Sequence, residues 1–225
     1  MAYAFMHINK IKSKSKIDAA YEHNYRKSAV PNAISELKHK NQELISLPYK
    51  NGKQMNYLEL WNERLSSLPA YANHLKPRSN AVLALEVLMT YSRDANDTID
   101  VAKWKEENVK WLRETFNSNP EKYGDNVLSV MFHGDEVGNL HCHAFIQPID
   151  TNGKLNASYY TGGKVNDKTM FAHQQDTYAK AMEGLGLERG MTGSKAKHTS
   201  IDKFYKELHW ALAQVPKPKA GELAT

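Results

Sequence analysis

The chain has one cysteine, Cys142, among 225 residues. No internal disulfide can form, so the fold depends on its core, and the composition fits a reducing compartment. No apolar run approaches the roughly 18 residues needed to cross a bilayer. The opening Met-Ala-Tyr-Ala-Phe-Met has neither a charged leader nor a long apolar stretch. A cytoplasmic protein without a membrane span is therefore expected. No internal repeat or low-complexity tract is visible. Charge is not strongly one-sided: 30 Lys and Arg face 25 Asp and Glu, a net +5. That mild excess favours a polyanionic partner without requiring one. A hydrophobic content of 41% can build a sizeable core. We expect one main domain over residues 1–214 and a flexible tail over 215–225.

What the chain does have is His133-Gly-Asp-Glu-Val-Gly-Asn-Leu-His-Cys-His143. Apolar, β-branched runs at 127–132 and 144–149 flank it and read as two strands of a hairpin. Gly138 supplies the freedom a turn needs. With the turn centred at Val137, His133 lies across from His141, and His143 shares their face because strand side chains alternate. Three imidazoles on one face form a metal-binding arrangement with positions left for substrate. Cys142 falls between two of them. It should point to the other face as a small buried residue.

The rest of the chain reads as alternating strands and helices. Residues 2–8 form a first strand, and the lysines of 10–16 a basic loop. Residues 17–27 form a helix carrying His23, Tyr25 and Arg26, where His or Tyr can be a nucleophile and Arg can hold phosphate. Residues 31–54 are polar and read as a long loop with a short helix near 34–40. Helices are expected at 57–68, 100–117, 168–185 and 201–214, the third of these ending at glycines. Residues 81–91 read as a buried strand with Glu86 in its middle, where a carboxylate needs a partner, a proton or a metal. Trp104 and Trp111 mark the buried face of their helix. A short strand is expected at 155–160 and a basic loop at 187–198. The hairpin does not fit sequential βαβ units, so the fold class is α+β, an antiparallel sheet flanked by helices.

Together these pieces resemble the HUH superfamily of single-strand DNA endonucleases, and within it the MobV (Mob/Pre) family of plasmid mobilisation relaxases. His23-Asn-Tyr-Arg26 is similar to the family's first motif. Arg78-Ser-Asn-Ala-Val-Leu-Ala-Leu-Glu86 is similar to its second, and His133-x-Asp-Glu136 with His141-x-His143 to its third. Gly186-Leu-Glu-Arg-Gly190 and Ser194-Lys-Ala-Lys-His198 continue the resemblance, which runs from about residue 3 to 205. One departure stands out: Gly138-Asn139-Leu140 replaces the family's usual proline before the His-x-His pair, and lengthens the turn.

The resemblance implies an HUH-type fold and a relaxase that nicks one strand of origin-of-transfer DNA, stays bound to the 5′ phosphate, and rejoins the strand. His133, His141 and His143 are the implied ligands of a divalent metal, Mn²⁺ first, with Mg²⁺ or Zn²⁺ as alternatives. His23 is the implied nucleophile and Tyr25 its rival. Glu136 and Glu86 are candidates for base or orienting group. Arg26, Arg78, Lys195, Lys197 and His198 are the implied DNA contacts. The oligomeric state stays open, because MobV proteins often continue into a dimerising helical region. Two other readings remain: a rolling-circle replication initiator, whose nucleophile follows its histidine motif, and a three-histidine metallohydrolase that does not act on DNA. A metal-independent DNA-binding repressor is a more distant one.

Overall fold

A computed structural model describes residues 2–136 and 140–191. The chain divides into two compact units, residues 1–190 and 191–225. The expected basic contacts Lys195, Lys197 and His198, the 201–214 helix and the 215–225 tail all lie outside the described residues, as does the hairpin turn at 137–139.

Strand β1, Ala2–Ile11, opens the fold. Helix α1, Lys14–Asn24, follows at once, capped by the Ser13 side chain accepting from the Lys16 N–H. A 3₁₀ turn at Ser35–Lys40 leads into β2, Gln42–Ile45, and the small hairpin β3, Tyr49–Lys50, with β4, Lys53–Gln54. Helix α2, Tyr57–Ser67, starts with a reciprocal capping box between Asn56 and Glu59. Then come β5, Ala84–Tyr91, and α3, Val101–Phe116, capped by the Asp100 side chain accepting from the Lys103 N–H. A single turn, α4, Pro120–Tyr123, precedes β6, Val127–His133, and β7, His141–Ile146. Helix α5, Ala157–Thr161, the hairpin β8, Lys164–Val165, with β9, Lys168–Thr169, helix α6, Met170–Met182, and β10, Leu187–Arg189, complete the described chain.

Six strands form one sheet in the order β10-β1-β5-β7-β6-β2. Four of its neighbour pairs are antiparallel and only β10–β1 is parallel. This is the expected α+β architecture of an antiparallel sheet with helices on its faces. Trp104, Trp111, Leu112 and Phe116 of α3 and Tyr178 and Met182 of α6 pack on one face against Val87, Met89, Val130, Cys142 and Ala144. Ile17 of α1 and Tyr57, Trp61 and Leu65 of α2 pack on the other, against Ile11, Ala84, Leu128 and Phe145. Alternation along each strand divides the sheet between the two cores. Both helix tryptophans are core residues, as their spacing indicates. Among the described residues no helix is long and apolar enough to cross a membrane.

Three expectations need correction. Residues 31–54 are not one loop: Gln42–Ile45 is the sheet's edge strand, paired with β6. Four mixed residues can hold an edge because only one side needs a partner ladder. Residues 155–160 make only a bridge at Leu155 before α5 begins, since the Asn156 side chain caps the Tyr159 N–H and turns the chain into a helix. Leu187–Arg189, read as loop, lies parallel to Ala2–Ala4.

Candidate metal centre and active site

The centre sits where the histidine hairpin meets the end of α1. His133 pairs directly with His141, and His143 pairs with Met131, so the register inferred from the spacing holds. Cys142 points into the opposite core, fully buried, and burial raises its thiol well above the usual range. It is no ligand or nucleophile there.

The three hairpin rings converge. His133 and His141 have centroids 4.9 Å apart, His141 and His143 5.1 Å, and His133 and His143 5.2 Å. His133 Nδ1 lies 3.1 Å from His141 Nε2. Two nitrogens each about 2.1 Å from one ion, at roughly a right angle, stand about 3 Å apart. His133 Nε2 donates to the Asn24 carbonyl at 3.0 Å. A carbonyl only accepts, so the proton sits on Nε2 and the lone pair on Nδ1 faces the cluster. His143 Nδ1 lies 3.2 Å from Glu86 Oε1, which directs its other nitrogen inward. The donor set therefore suits a divalent transition ion. Among the described residues, the triples whose donor atoms all lie within 4.8 Å of one another are His23, His133 and His143, and His133, Glu136 and His141, so the hairpin histidines come close enough for one ion only with His23 or Glu136 in place of one of them.

His23 enters from the last turn of α1. Its ring centroid is 5.2 Å from that of His143 and 6.0 Å from that of His133. Burial, then the neighbouring His143 and Arg26, lower its pKa to about 4, so the imidazole is neutral at pH 7. Burial and the same crowd of imidazoles also push His133 well below the ordinary histidine range. Neutral rings are what both a ligand and a nitrogen nucleophile require.

Tyr25, the C-cap of α1, goes elsewhere. Its ring stacks on Tyr21 at 4.8 Å and meets Tyr57 edge-on at 5.9 Å. Its hydroxyl is 3.4 Å from Ser129 Oγ. Burial and then Tyr57 raise its pKa far above that of a free phenol. Ser129 and Phe145 lie one alternating step beyond Met131 and His143, so Tyr25 lies over the rung below the histidines.

Arg26 adopts a left-handed backbone, φ 51°, immediately after the helix. That kink turns its guanidinium under the cluster. Nε and Nη2 grip Asp135 at 2.8 and 2.7 Å, Nη2 also reaches Glu136 at 2.9 Å, and Nη1 donates to the His23 carbonyl at 3.3 Å. Burial opposes charge on Asp135, but hydrogen bonds from Arg26 and Asn41 outweigh it and hold the carboxyl below its usual range. Glu136 Oε1 stands 3.8 Å from His141 Nε2. On Glu86 burial is likewise opposed and overcome, here by His143, so it remains ionised. Arg78 is exposed in the loop before β5.

Sequence reasoning missed Asn41. Its Oδ1 accepts from the Gly134 and Asp135 N–H groups at 2.9 and 3.2 Å, and its Nδ2 donates to Asp135 at 2.8 Å. Gly134 permits the close approach, since a Cβ there would stand 2.9 Å from Lys40 Cβ. Nothing in the spacing links residue 41 to 135. Only its place just ahead of an edge strand beside β6 could have suggested the contact.

The chain matches the family model described as plasmid recombination enzyme (Mob_Pre) over residues 1–206. It is 30% identical over 223 residues to the 65 kDa protein of Zymomonas mobilis, covering 97% of this chain and 35% of that one. It is 30% identical over 213 residues to plasmid recombination enzyme type 2 of Staphylococcus aureus, covering 92% and 46%. The chain thus spans less than half the length of these relatives. Among solved structures it is similar to the MobM relaxase domain bound to pMV158 oriT DNA in Mn-bound crystals. One match has TM-score 0.70 at 24% identity, and another 0.67 at 25%, each covering 91% of this chain and 99% of that domain. With the family model matched along nearly its whole described length, this chain belongs to the plasmid recombination enzyme (Mob_Pre) family.

Proposed function

We propose that this chain is the DNA-nicking and joining domain of a plasmid mobilisation relaxase, acting on one strand of an origin of transfer. The observation that carries the reading is the seat of His23, a neutral imidazole 5.2 Å, ring to ring, from His143 at the mouth of the three-histidine cluster. A hydrolase using activated water needs no such side chain. A replication initiator carries its nucleophile after the histidine motif, whereas residue 23 precedes it. The matched MobM domains are bound to oriT DNA and contain Mn, which supports the same substrate class and ion here. A cytoplasmic setting fits a DNA substrate and a lone free cysteine.

His133, His141 and His143 would hold the divalent metal, Mn²⁺ by preference, with Mg²⁺ or Zn²⁺ as alternatives. When bound it supplies positive charge to polarise the scissile phosphate. His23 attacks phosphorus through its ring nitrogen. A P–N bond forms to the 5′ phosphate, the P–O bond to the 3′ oxygen breaks, and that oxygen leaves as a hydroxyl, taking the proton that the attacking imidazole gives up from its other nitrogen. Attack by a 3′ hydroxyl reverses the step, so the strand can be rejoined without external energy. Arg26 holds the His23 carbonyl and both Asp135 and Glu136, and so fixes α1 against the hairpin. Glu86 orients His143. Glu136, engaged by Arg26 and close to His141, acts as an orienting group. Arg78, Lys195, Lys197 and His198 serve as DNA contacts.

The test is a covalent adduct. The protein, Mn²⁺ and supercoiled plasmid from its source are incubated and resolved on a denaturing gel beside His23→Ala and Tyr25→Phe. We expect an acid-labile adduct from the wild type and Tyr25→Phe, and none from His23→Ala. An acid-stable adduct lost only in Tyr25→Phe moves the chemistry to tyrosine. No adduct with any divalent ion returns the three-histidine hydrolase to first place.

A further inference from the structure

Among the described residues, the face of the sheet that bears the histidines is only partly covered. Helices α1 and α2 roof the lower part over Ile11, Ala84, Leu128 and Phe145. The upper part, on β1 and β5, carries aromatic side chains in water. Phe5 is 45% exposed and Phe171, in the first turn of α6, is 37% exposed. The His7 ring meets Phe171 edge-on at 6.1 Å, and Tyr3 meets Phe5 at 6.4 Å.

Register ties these rings to the metal centre. Phe5 pairs with Thr90, Thr90 with His141, and His141 with His133. His7 pairs with Leu88, and Leu88 with His143. Phe5 and His7 are thus on the same two rungs as the histidines, and on the same face. Two strand spacings, about 10 Å, separate them from β7.

We propose that Phe5, with His7 and Phe171 beside it, forms a stacking platform for a nucleobase of the single strand next to the scissile phosphate. This rests on the relaxase reading above. With a phosphate held at His23, the neighbouring nucleotides on one side cross β5 and β1, where flat aromatic faces await them. Stacking on such faces accepts any base, because every base has a π-face. Lys12, just after β1, and Lys14 and Lys16, in the first turn of α1, are exposed and suit neighbouring phosphates. Lysines at the end of β1 and the polar Asn9 within it favour a nucleic acid strand over an apolar protein segment.

The test uses a single-stranded oligonucleotide spanning the nick site mapped from the adduct above. 2-Aminopurine is placed in turn at each nucleotide flanking the nick. With the wild type, one flanking position should be quenched on binding. Phe5→Ala should abolish that quenching and weaken binding roughly 5- to 150-fold, the range for one lost base–aromatic stack. Phe5→Trp should restore both. Melting curves of all three proteins should differ little, because nearly half of Phe5 faces water. If the wild type forms the adduct but Phe5→Ala binds and quenches unchanged, the platform is overturned while the relaxase reading stands. If Phe5→Ala melts lower yet binds DNA equally, Phe5 packs against the protein's own chain and the platform is again overturned. If the wild type neither forms an adduct nor binds the strand, the relaxase reading fails and takes this inference with it.

Discussion

Arg26 and Asp135 meet through two parallel hydrogen bonds of 2.8 and 2.7 Å, both side chains almost wholly buried. The pair ties the end of the helix that carries His23 to the loop that carries Glu136. A forked guanidinium fits a carboxylate in a way an ammonium does not. Arg26→Lys should therefore keep the charge and still lose the geometry. We expect it to lower unfolding free energy by about 2–3 kcal/mol in urea, somewhat under the cost of breaking a wholly isolated buried pair. Adduct formation should fall with it. A variant as stable and active as the wild type would show that the fork does not matter.

Glu86 should act on metal affinity through His143. Its carboxylate lies 3.2 Å from Nδ1, leaving the other ring nitrogen for the ion. Glu86→Ala should weaken Mn²⁺ binding, measured by calorimetry, by roughly 10- to 100-fold, the usual effect of removing a ligand's orienting partner. Glu86→Gln should recover part of that loss, because its amide oxygen can still accept from Nδ1–H. Equal affinities in all three proteins would exclude the orienting role.

The hairpin was readable because period-two alternation dictates which side chains share a face, and the histidines fall at matching positions on two strands. The long helices were readable from their own, 3.6-residue period. Val101–Phe116 places Trp104, Trp111, Leu112 and Phe116 on one stripe, and nothing but a helix does that. The short pieces were not. Gln42–Ile45 and Leu187–Arg189 are strands because β6 and β1 offer them ladders, a property of the assembled sheet and not of the local residues. Over 155–160 the local residues suggested a strand, but the Asn156 cap decided for a helix at Ala157–Thr161. In the site, histidine spacing placed three imidazoles on one face of the hairpin. The divergence of His23 and Tyr25 required the end of α1, which runs three residues earlier than its pattern suggested. The grip of Asn41 on Asp135 joins residues 94 apart, and no local pattern encodes it.

His23 gives the site a defined pH response. Burial lowers its pKa from 6.5 to about 4. Between those values the unfolded chain holds a proton on His23 that the folded chain does not, so this residue's contribution to stability is full above pH 6.5 and lost as pH falls to about 4. In EDTA, the melting temperature of His23→Gln should drop less between pH 6.5 and 4.5 than that of the wild type. The attacking form is the neutral ring, so adduct formation by the wild type with Mn²⁺ should not show a titration at pH 6.5. A half-maximal rate at pH 6.5, traced to His23, would mean that its environment does not depress it.

Asn41 offers the sharpest test of whether the loop after β6 sets the chemistry. It bonds two backbone N–H groups and one carboxylate oxygen of that loop, at 2.9, 3.2 and 2.8 Å. Asn41→Ala leaves all three without this partner, and should cost about 2–3 kcal/mol of stability, given about 1–3 kcal/mol for each buried polar group left unsatisfied. Asn41→Asp keeps an acceptor for the two N–H groups but sets a second carboxylate against Asp135, which is already ionised. At pH 7 it should therefore be no more stable than Asn41→Ala, despite being isosteric with the native residue. In both variants Arg26 loses its fixed counterpart, and with it the restraint on the His23 carbonyl. Adduct formation should slow by roughly 10- to 100-fold, the scale of a misplacement near 1 Å. Mn²⁺ affinity should change far less, because His133, His141 and His143 stand on β6 and β7 and not on the loop. A parallel loss of metal binding and rate would assign Asn41 to the stability of the hairpin as a whole, and a rate unchanged in a folded Asn41→Ala would separate the loop from the chemistry altogether.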